Sequence, residues 1–160
     1  MTISAFDIAI LGAGPVGRVL ALMLARVAPD PARIALLAGA SPAPVTPAAA
    51  IPVADPRVLA MNHGSRVLLE SLNAWPAKAA DILNIHVSQR GRLGRSVIQH
   101  TDFDVPQLGC VVAYSALHAK LEERVAASGV TLLSGPPAQI DGQDGDGVRI
   151  SQGDTALSCR

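Results

Sequence analysis

The stretch FDIAILGAGPVG, residues 6–17, decides the fold of this chain. Residues 6–11 form a nearly continuous apolar run with β-branched side chains, which predicts a strand buried on both faces at the centre of a parallel sheet. After the glycine-rich turn, residues 18–28 (RVLALMLARVA) predict a mostly buried helix. Pro29 and Pro31 end that helix, and residues 33–38 (RIALLA) predict a second strand. Together these segments form one βαβ unit.

The glycine-rich turn is the strongest functional signal in the sequence. In GAGPVG the first glycine permits a tight turn, the second lets the backbone approach a pyrophosphate, and the third allows close packing of helix on strand. The helix N-terminus then offers N–H groups and the positive end of its dipole to the phosphates. The predicted cofactor-binding residues here are Gly12, Ala13, Gly14, Pro15, Val16 and Gly17.

The ribose-binding acid that usually accompanies this turn is missing. A Rossmann fingerprint expects Asp or Glu at the end of the second strand, about 20 residues further on. This chain has Ala38 and Gly39 there, so the adenosine ribose of a bound dinucleotide loses a charge-assisted hydrogen-bond pair.

The remaining segments predict an α/β fold with a parallel sheet, helices on one face and an antiparallel β element on the other. Residues 39–56, rich in Ala and Pro, predict a long loop. The other predicted elements are helices at 64–73 and 114–128, a strand at 110–112, a parallel strand at 130–133, and antiparallel pairs at 82–88 with 95–100 and at 148–151 with 155–159. The last strand is expected to leave an open sheet edge.

Composition excludes several classes of function. The 160 residues, 49% of them hydrophobic, suit one compact unit. Thirteen basic residues balance thirteen acidic ones, and aromatics make up 2%, which disfavours nucleic acid and anionic membranes as partners. Cys110 and Cys159 are far apart and are expected to be free thiols. With no basic leader and no apolar stretch long enough to span a membrane, the sequence predicts a cytoplasmic protein without a transmembrane segment.

Two further motifs resemble one family of flavin enzymes. The segment Asp55–Ser65 (DPRVLAMNHGS), then Trp75, then Ile85–Gly94 (IHVSQRGRLG), resembles in order the motifs of the ubiquinone-biosynthesis FAD-dependent hydroxylases, the 2-polyprenyl-6-methoxyphenol hydroxylase group. The resemblance covers essentially the whole chain. Family members are more than twice as long, so it implies that residues 1–160 are the N-terminal portion of an FAD-binding domain.

The resemblance also implies a reaction and site residues. It implies that Gly12, Gly14 and Gly17 line the FAD pyrophosphate and that Arg57 reaches the cofactor. NAD(P)H would reduce the FAD, and one oxygen atom of O₂ would enter the ring of a prenylated phenol. The family often carries a second arginine where this chain reads Ala113–Ser115. The chain would then work in the cytoplasm or at the periphery of the inner membrane, and a homodimer is compatible with it.

Other interpretations stay open. The rival reading is a non-catalytic folded remnant, or a nucleotide-binding module without bound FAD; an NAD-binding domain is disfavoured because NAD also calls for the missing acid. His86 is expected to be half-buried and hydrogen-bonded rather than catalytic. The arginines of the 90–95 turn are expected to be solvated charges, and the aspartates of 141–146 a turn rather than a calcium loop.

Overall fold

The computed structural model of the chain describes residues 4–39, 55–91, 93–145 and 147–160. The chain divides into two compact units, residues 1–52 with 121–160 and residues 53–120. Most of the predicted loop 39–56 lies outside the described residues. The three α-helices of the described residues are α1 (Pro15–Ala25), α2 (His63–Ser71) and α3 (Tyr114–Ala126). The strands are β1 (Ser4–Phe6), β2 (Ile8–Leu11), β3 (Ile34–Gly39), β4 (Val58–Asn62), β5 (Ala80–Ile82), β6 (Asn84–Ser88), β7 (Arg95–Gln99), β8 (Gly109–Ala113), β9 (Thr131–Gly135), β10 (Gln139–Asp144), β11 (Gly147–Gln152) and β12 (Thr155–Cys159).

The first unit is built around a parallel sheet in the order β2-β3-β9. Helix α1 contacts β2 and β3. A second sheet, in the order β1-β12-β11-β10, contributes to the core. Its apolar side chains meet those of β3 in one buried cluster of Phe6, Ala35, Leu37, Ile150 and Leu157. The predicted α/β fold, with a helix on one side of a parallel sheet and an antiparallel element on the other, is confirmed.

The first strand differs from the prediction in two ways. The apolar run divides at Asp7, whose N–H donates to the carbonyl of Arg33 at 2.9 Å, and the part before it pairs with β12 instead of β3. Strand β2 lies at an edge of the three-stranded sheet and not at its centre. Ile8 and Leu11 are therefore 36% and 43% exposed, so the strand is not buried on both faces. An apolar run predicts a strand, but it does not reveal on which side the neighbouring strands lie.

Two other predictions are wrong, that α1 is mostly buried and that the last strand is an open edge, because local patterns do not show where the neighbouring strands lie. Helix α1 is not mostly buried: Val16, Leu20 and Met23 along it, and Val27 just beyond its end, are exposed. The strand of residues 155–159 is not an open edge, because β12 lies between β1 and β11. Which apolar faces are covered depends on strands from the other end of the chain, which local patterns do not specify.

The second unit combines a small antiparallel sheet with a two-stranded ribbon. The sheet has the order β4-β8-β5, and α2 packs against β4 and β8. The side chain of Asn62 caps α2 by accepting the N–H of Ser65 at 2.8 Å. The ribbon pairs β6 with β7, as predicted from residues 82–88 and 95–100. Strands β4 and β5 were not predicted, because both are short and each depends on pairing with β8.

Several residues named from the sequence can be compared with their places in the structure. His86 is exposed on the ribbon and not half-buried. Asp141 and Asp144 belong to β10, so the predicted turn is a strand there, while Asp146 and Arg92 lie outside the described residues.

Within the described part of the chain, no group of three or more His, Cys, Asp or Glu side chains could hold a metal ion. Cys110 and Cys159 are free thiols, as predicted. Among the described helices, none is long and apolar enough to cross a membrane.

The shared core of the first unit can be tested with two leucines on neighbouring strands. Leu37 on β3 is 1% exposed, whereas Leu132 on β9 is 43% exposed. We expect Leu37→Ala to lower the free energy of unfolding by about 2–5 kcal/mol, because it leaves a cavity between the two sheets. Leu132→Ala should lower it by less than about 1 kcal/mol. Urea unfolding followed by circular dichroism measures both, and equal losses would contradict this assignment of the core.

Candidate cofactor-binding site

The turn from β2 to α1 has the backbone that the glycine pattern predicts. Gly12 takes a φ of +112°, a conformation that side chains other than glycine rarely adopt. Its N–H donates to the carbonyl of Leu37 at 2.9 Å, which joins the turn to the second strand. A Cβ on Gly17 would lie 1.9 Å from the carbonyl oxygen of Gly12, so the helix packs on the turn through a contact that only glycine allows. The first and third glycines thus have the geometry predicted from the motif.

The N-terminus of α1 is open and has no acidic neighbour in its first turn. Gly14 is the N-cap, with extended backbone and no side-chain cap, and Pro15 occupies the first helical position. The first N–H groups of a helix have no partner inside it, so those of Val16 and Gly17 are available to an anion. A Cβ built on Gly12 or Gly14 would meet no atom of the described residues within 4 Å, so these residues leave space in front of the turn. The arrangement suits a phosphate or pyrophosphate group.

The buried side chain of Arg18 supports the glycine turn, a role that was not predicted from the sequence. Its side chain is only 7% exposed, and its Nε donates to the carbonyl of Ala13 at 2.7 Å. One guanidinium nitrogen lies 3.9 Å from a carboxylate oxygen of Glu122 on α3. In the sequence, Arg18 stands out as a charged residue within an otherwise apolar stretch of helix. Its role could not be predicted because its partner Glu122 lies 104 residues further along the chain. The buried guanidinium holds the second residue of the turn in place.

The end of β3 confirms the missing carboxylate and shows what lies there instead. Ala38 presents a methyl group, and its carbonyl accepts a hydrogen bond from Nε2 of Gln152 at 2.9 Å. The same amide donates to the carbonyl of Pro136 at 3.1 Å, and Gln152 is 5% exposed. Gln152 therefore fastens the strand end to the loop that follows β9. Sequence reasoning missed this residue because it arrives from β11, more than a hundred positions later.

Arg57 lies in the second unit, immediately before β4, with two partners. Its guanidinium forms a fork with the carboxylate of Asp55, in which Nε lies 2.9 Å from both oxygens. It also lies 4.0 Å from the centre of the Tyr114 ring, a cation–π distance. The N–H of Tyr114 donates to the carbonyl of Arg57 at 2.9 Å. The aromatic ring of Tyr114 therefore supports the Arg57 guanidinium.

The ion pair changes the acidity of both members. The side-chain hydrogen bond from Arg57, with a backbone N–H bond from the same residue, lowers the pKa of Asp55 from 3.8 to about 2. The hydrogen bond to Asp55 raises the pKa of Arg57 above its usual value. The Arg57 side chain is nevertheless 65% exposed, so solvent screens the pair and a single charged ligand could compete for the guanidinium. The glycine turn belongs to the first unit and Arg57 to the second.

The comparisons with known proteins give the fold its class. No protein-family model and no curated protein matches this sequence. Among solved structures, the chain is similar to p-nitrophenol 4-monooxygenase PnpA from Pseudomonas putida DLL-E4, with 14% identity over 98% of this chain and 39% of that one, at a TM-score of 0.65. It is similar to the flavin-dependent monooxygenase PieE, solved with FAD and substrate, with 19% identity over 97% and 29% of the two chains, also at 0.65.

A third solved structure has a similar fold. The tetrameric 2-methyl-3-hydroxypyridine-5-carboxylic acid oxygenase shares 16% identity over 99% of this chain and 38% of its own, at a TM-score of 0.62. The chain thus has the fold that these oxygenases use over part of their length. It spans 29–39% of the three proteins.

The close packing of the glycine turn predicts a large effect of one methyl group. Gly17→Ala should lower the free energy of unfolding by about 2–3 kcal/mol, because the new Cβ collides with the carbonyl of Gly12. Gly14→Ala introduces the same methyl group into open space and should cost less than about 1 kcal/mol. Chemical denaturation of the two variants gives the comparison. Similar losses would mean that helix and turn do not pack as described.

The Arg57–Asp55 pair predicts an observable titration. A carboxyl with a lowered folded-state pKa stabilises the folded protein above its unfolded value of 3.8 and loses that contribution as the pH falls toward about 2. In Arg57→Gln the pKa of Asp55 should rise toward 3.8, followed by the carboxyl ¹³C shift in NMR. The pKa of Asp7, lowered chiefly by its hydrogen bond from Arg33, should stay where it is and serves as the control. An unchanged Asp55 titration would contradict the pairing.

Proposed function

We propose that this chain binds FAD and is part of an FAD-dependent, NAD(P)H-using hydroxylase of aromatic rings. The observation that carries the proposal is the turn at Gly12–Gly17, which directs an open helix N-terminus into free space. Its fold is shared with solved oxygenases, one of them in complex with FAD and substrate. A dinucleotide pyrophosphate is the anion that such a turn at the end of a parallel strand suits best.

The residues present fit the pyrophosphate part of FAD. The backbone of Gly12–Gly17 would hold the phosphates, and the fork of Arg57 would supply permanently charged donors to a phosphate or carbonyl oxygen of the cofactor. When bound, FAD would supply the redox chemistry that links NAD(P)H, O₂ and the aromatic ring. The contribution of this chain is to bind and orient that cofactor. We assign none of its residues as catalytic.

The more specific proposal is a hydroxylase of ubiquinone biosynthesis that acts on a prenylated phenol. It rests on the motifs of Asp55–Ser65, Trp75 and Ile85–Gly94. Here the chain would be the N-terminal portion of an FAD-binding domain, and residues outside it would supply the substrate pocket. Assembly as a homodimer and a location in the cytoplasm or at the inner membrane are parts of the same proposal.

A second candidate function is a nucleotide-binding module that does not retain FAD. The methyl group of Ala38 at the ribose position favours it, because the carboxylate that would accept hydrogen bonds from the ribose is absent. In this case the fold and the turn would be the same and the affinity for FAD would be lost. The two candidates therefore differ in whether the chain binds FAD, which can be measured.

Titration with FAD separates the two candidates. We expect saturable quenching of FAD fluorescence by the wild-type chain. Arg57→Gln should weaken binding about tenfold or more, because charge-assisted hydrogen bonds to the cofactor are lost. Arg33→Gln is the matched control, since Arg33 forms the same forked pair with an aspartate, Asp7, at 2.7 Å, and this pair lies at the end of the parallel sheet opposite the glycine turn. A wild-type chain that shows no saturable quenching would favour the module without FAD.

A further inference from the structure

The face on which the end of each parallel strand presents its side chain follows from the strand register. Ile10 pairs with Leu36, and a Cβ on Gly17 would lie 3.4 Å from the Ile10 side chain, so these residues face α1. Side chains alternate along a strand, which places Ala38 on the same face as Leu36. Ala38 in turn pairs with Ser134 of β9. Ser134 therefore also faces the α1 side of the sheet.

Ser134 lies at the same end of the sheet as the glycine turn. Gly12 is joined to Leu37 by a backbone hydrogen bond, so the turn and the carboxyl ends of β3 and β9 lie at the same end of the sheet. Neighbouring strands are about 4.8 Å apart, which places Ser134 one strand beyond Ala38 as seen from the turn. Ser134 is exposed. Its hydroxyl therefore lies beside the methyl group that replaces the usual carboxylate.

Two other sets of groups that the structure describes at this end of the sheet are less suited to a ribose. Gly39 and Gly135, the next register pair, have no side chains. The buried amide of Gln152 is already donating to the carbonyls of Ala38 and Pro136. A serine hydroxyl both donates and accepts, as a ribose hydroxyl requires of its partner.

We propose that the Ser134 hydroxyl hydrogen-bonds the adenosine ribose of the bound dinucleotide, in place of the carboxylate that Ala38 lacks. This inference rests on the proposed binding of FAD. The ribose partner has moved by one strand, from the end of β3 to the end of β9. Ala38 leaves room for the ribose to lie against β3 while Ser134 makes the polar contact. The contact is neutral, so it contributes less affinity than a carboxylate would.

The test compares FAD affinity in five variants by fluorescence quenching. Ser134→Ala should weaken binding about three- to tenfold, as for one neutral hydrogen bond, whereas Ser134→Thr keeps the hydroxyl and should bind within about twofold of wild type. Ser96→Ala removes a hydroxyl from an exposed strand of the second unit and should leave the affinity unchanged. In Ala38→Glu, which restores the carboxylate, adding Ser134→Ala should have less effect than it has in the wild-type background.

Each result decides the proposal. Wild-type affinity in Ser134→Ala overturns it, as does a Ser134→Thr variant that binds as weakly as the alanine variant. An undiminished effect of Ser134→Ala beside Glu at position 38 also overturns it, because the two groups would then serve separate purposes. Thermal unfolding without ligand should give the same midpoint for Ser134→Ala and wild type. If the wild-type chain binds no FAD at all, the proposed function fails, an outcome distinct from FAD binding that ignores Ser134.

Discussion

The structure of the first unit depends on one contact, the approach of Gly17 to the carbonyl of Gly12. Since a Cβ at Gly17 would lie 1.9 Å from that oxygen, the start of α1 is pressed onto the turn as closely as backbone allows. The turn is fixed on its other sides by Leu37, which accepts its N–H, and by Arg18, which donates to the carbonyl of Ala13. The direction of the helix N-terminus follows from this packing.

Arg18 in the first unit and Arg57 in the second have different surroundings. Arg18 is buried and fully engaged, so its contribution is to the shape of the turn. Arg57 is largely exposed, and both of its partners, Asp55 and the Tyr114 ring, come from nearby in its own unit. An exposed ion pair is worth little in free energy, because solvent screens it. The pair therefore orients the guanidinium without adding much to the stability of the fold.

Much of the fold was predictable because local patterns decide helices and hairpins. The spacing of Leu117, Leu121 and Val125 predicted α3, and all three side chains are buried. The hairpin of residues 148–159 was predicted from its alternation, and so was the ribbon of β6 and β7. Strand β4 and strand β10 were missed, because a short strand with mixed side chains is stabilised by its partner rather than by its own pattern. The partner of β4 lies about fifty residues away.

In the candidate site, too, some features are determined by local sequence and others by distant strands. The sequence by itself determined the glycine turn, the strand and helix on either side of it, and the absence of an acid at Ala38, since each of these depends on residues within a few positions. Only the tertiary structure decided that β2 lies at an edge, that Gln152 fastens the end of β3, and that Ser134 stands beside Ala38. These depend on β9, β11 and β12, which the chain contributes a hundred residues or more after the turn. Contacts between such distant segments are set by which apolar faces and strand edges satisfy one another, and no local pattern encodes that choice.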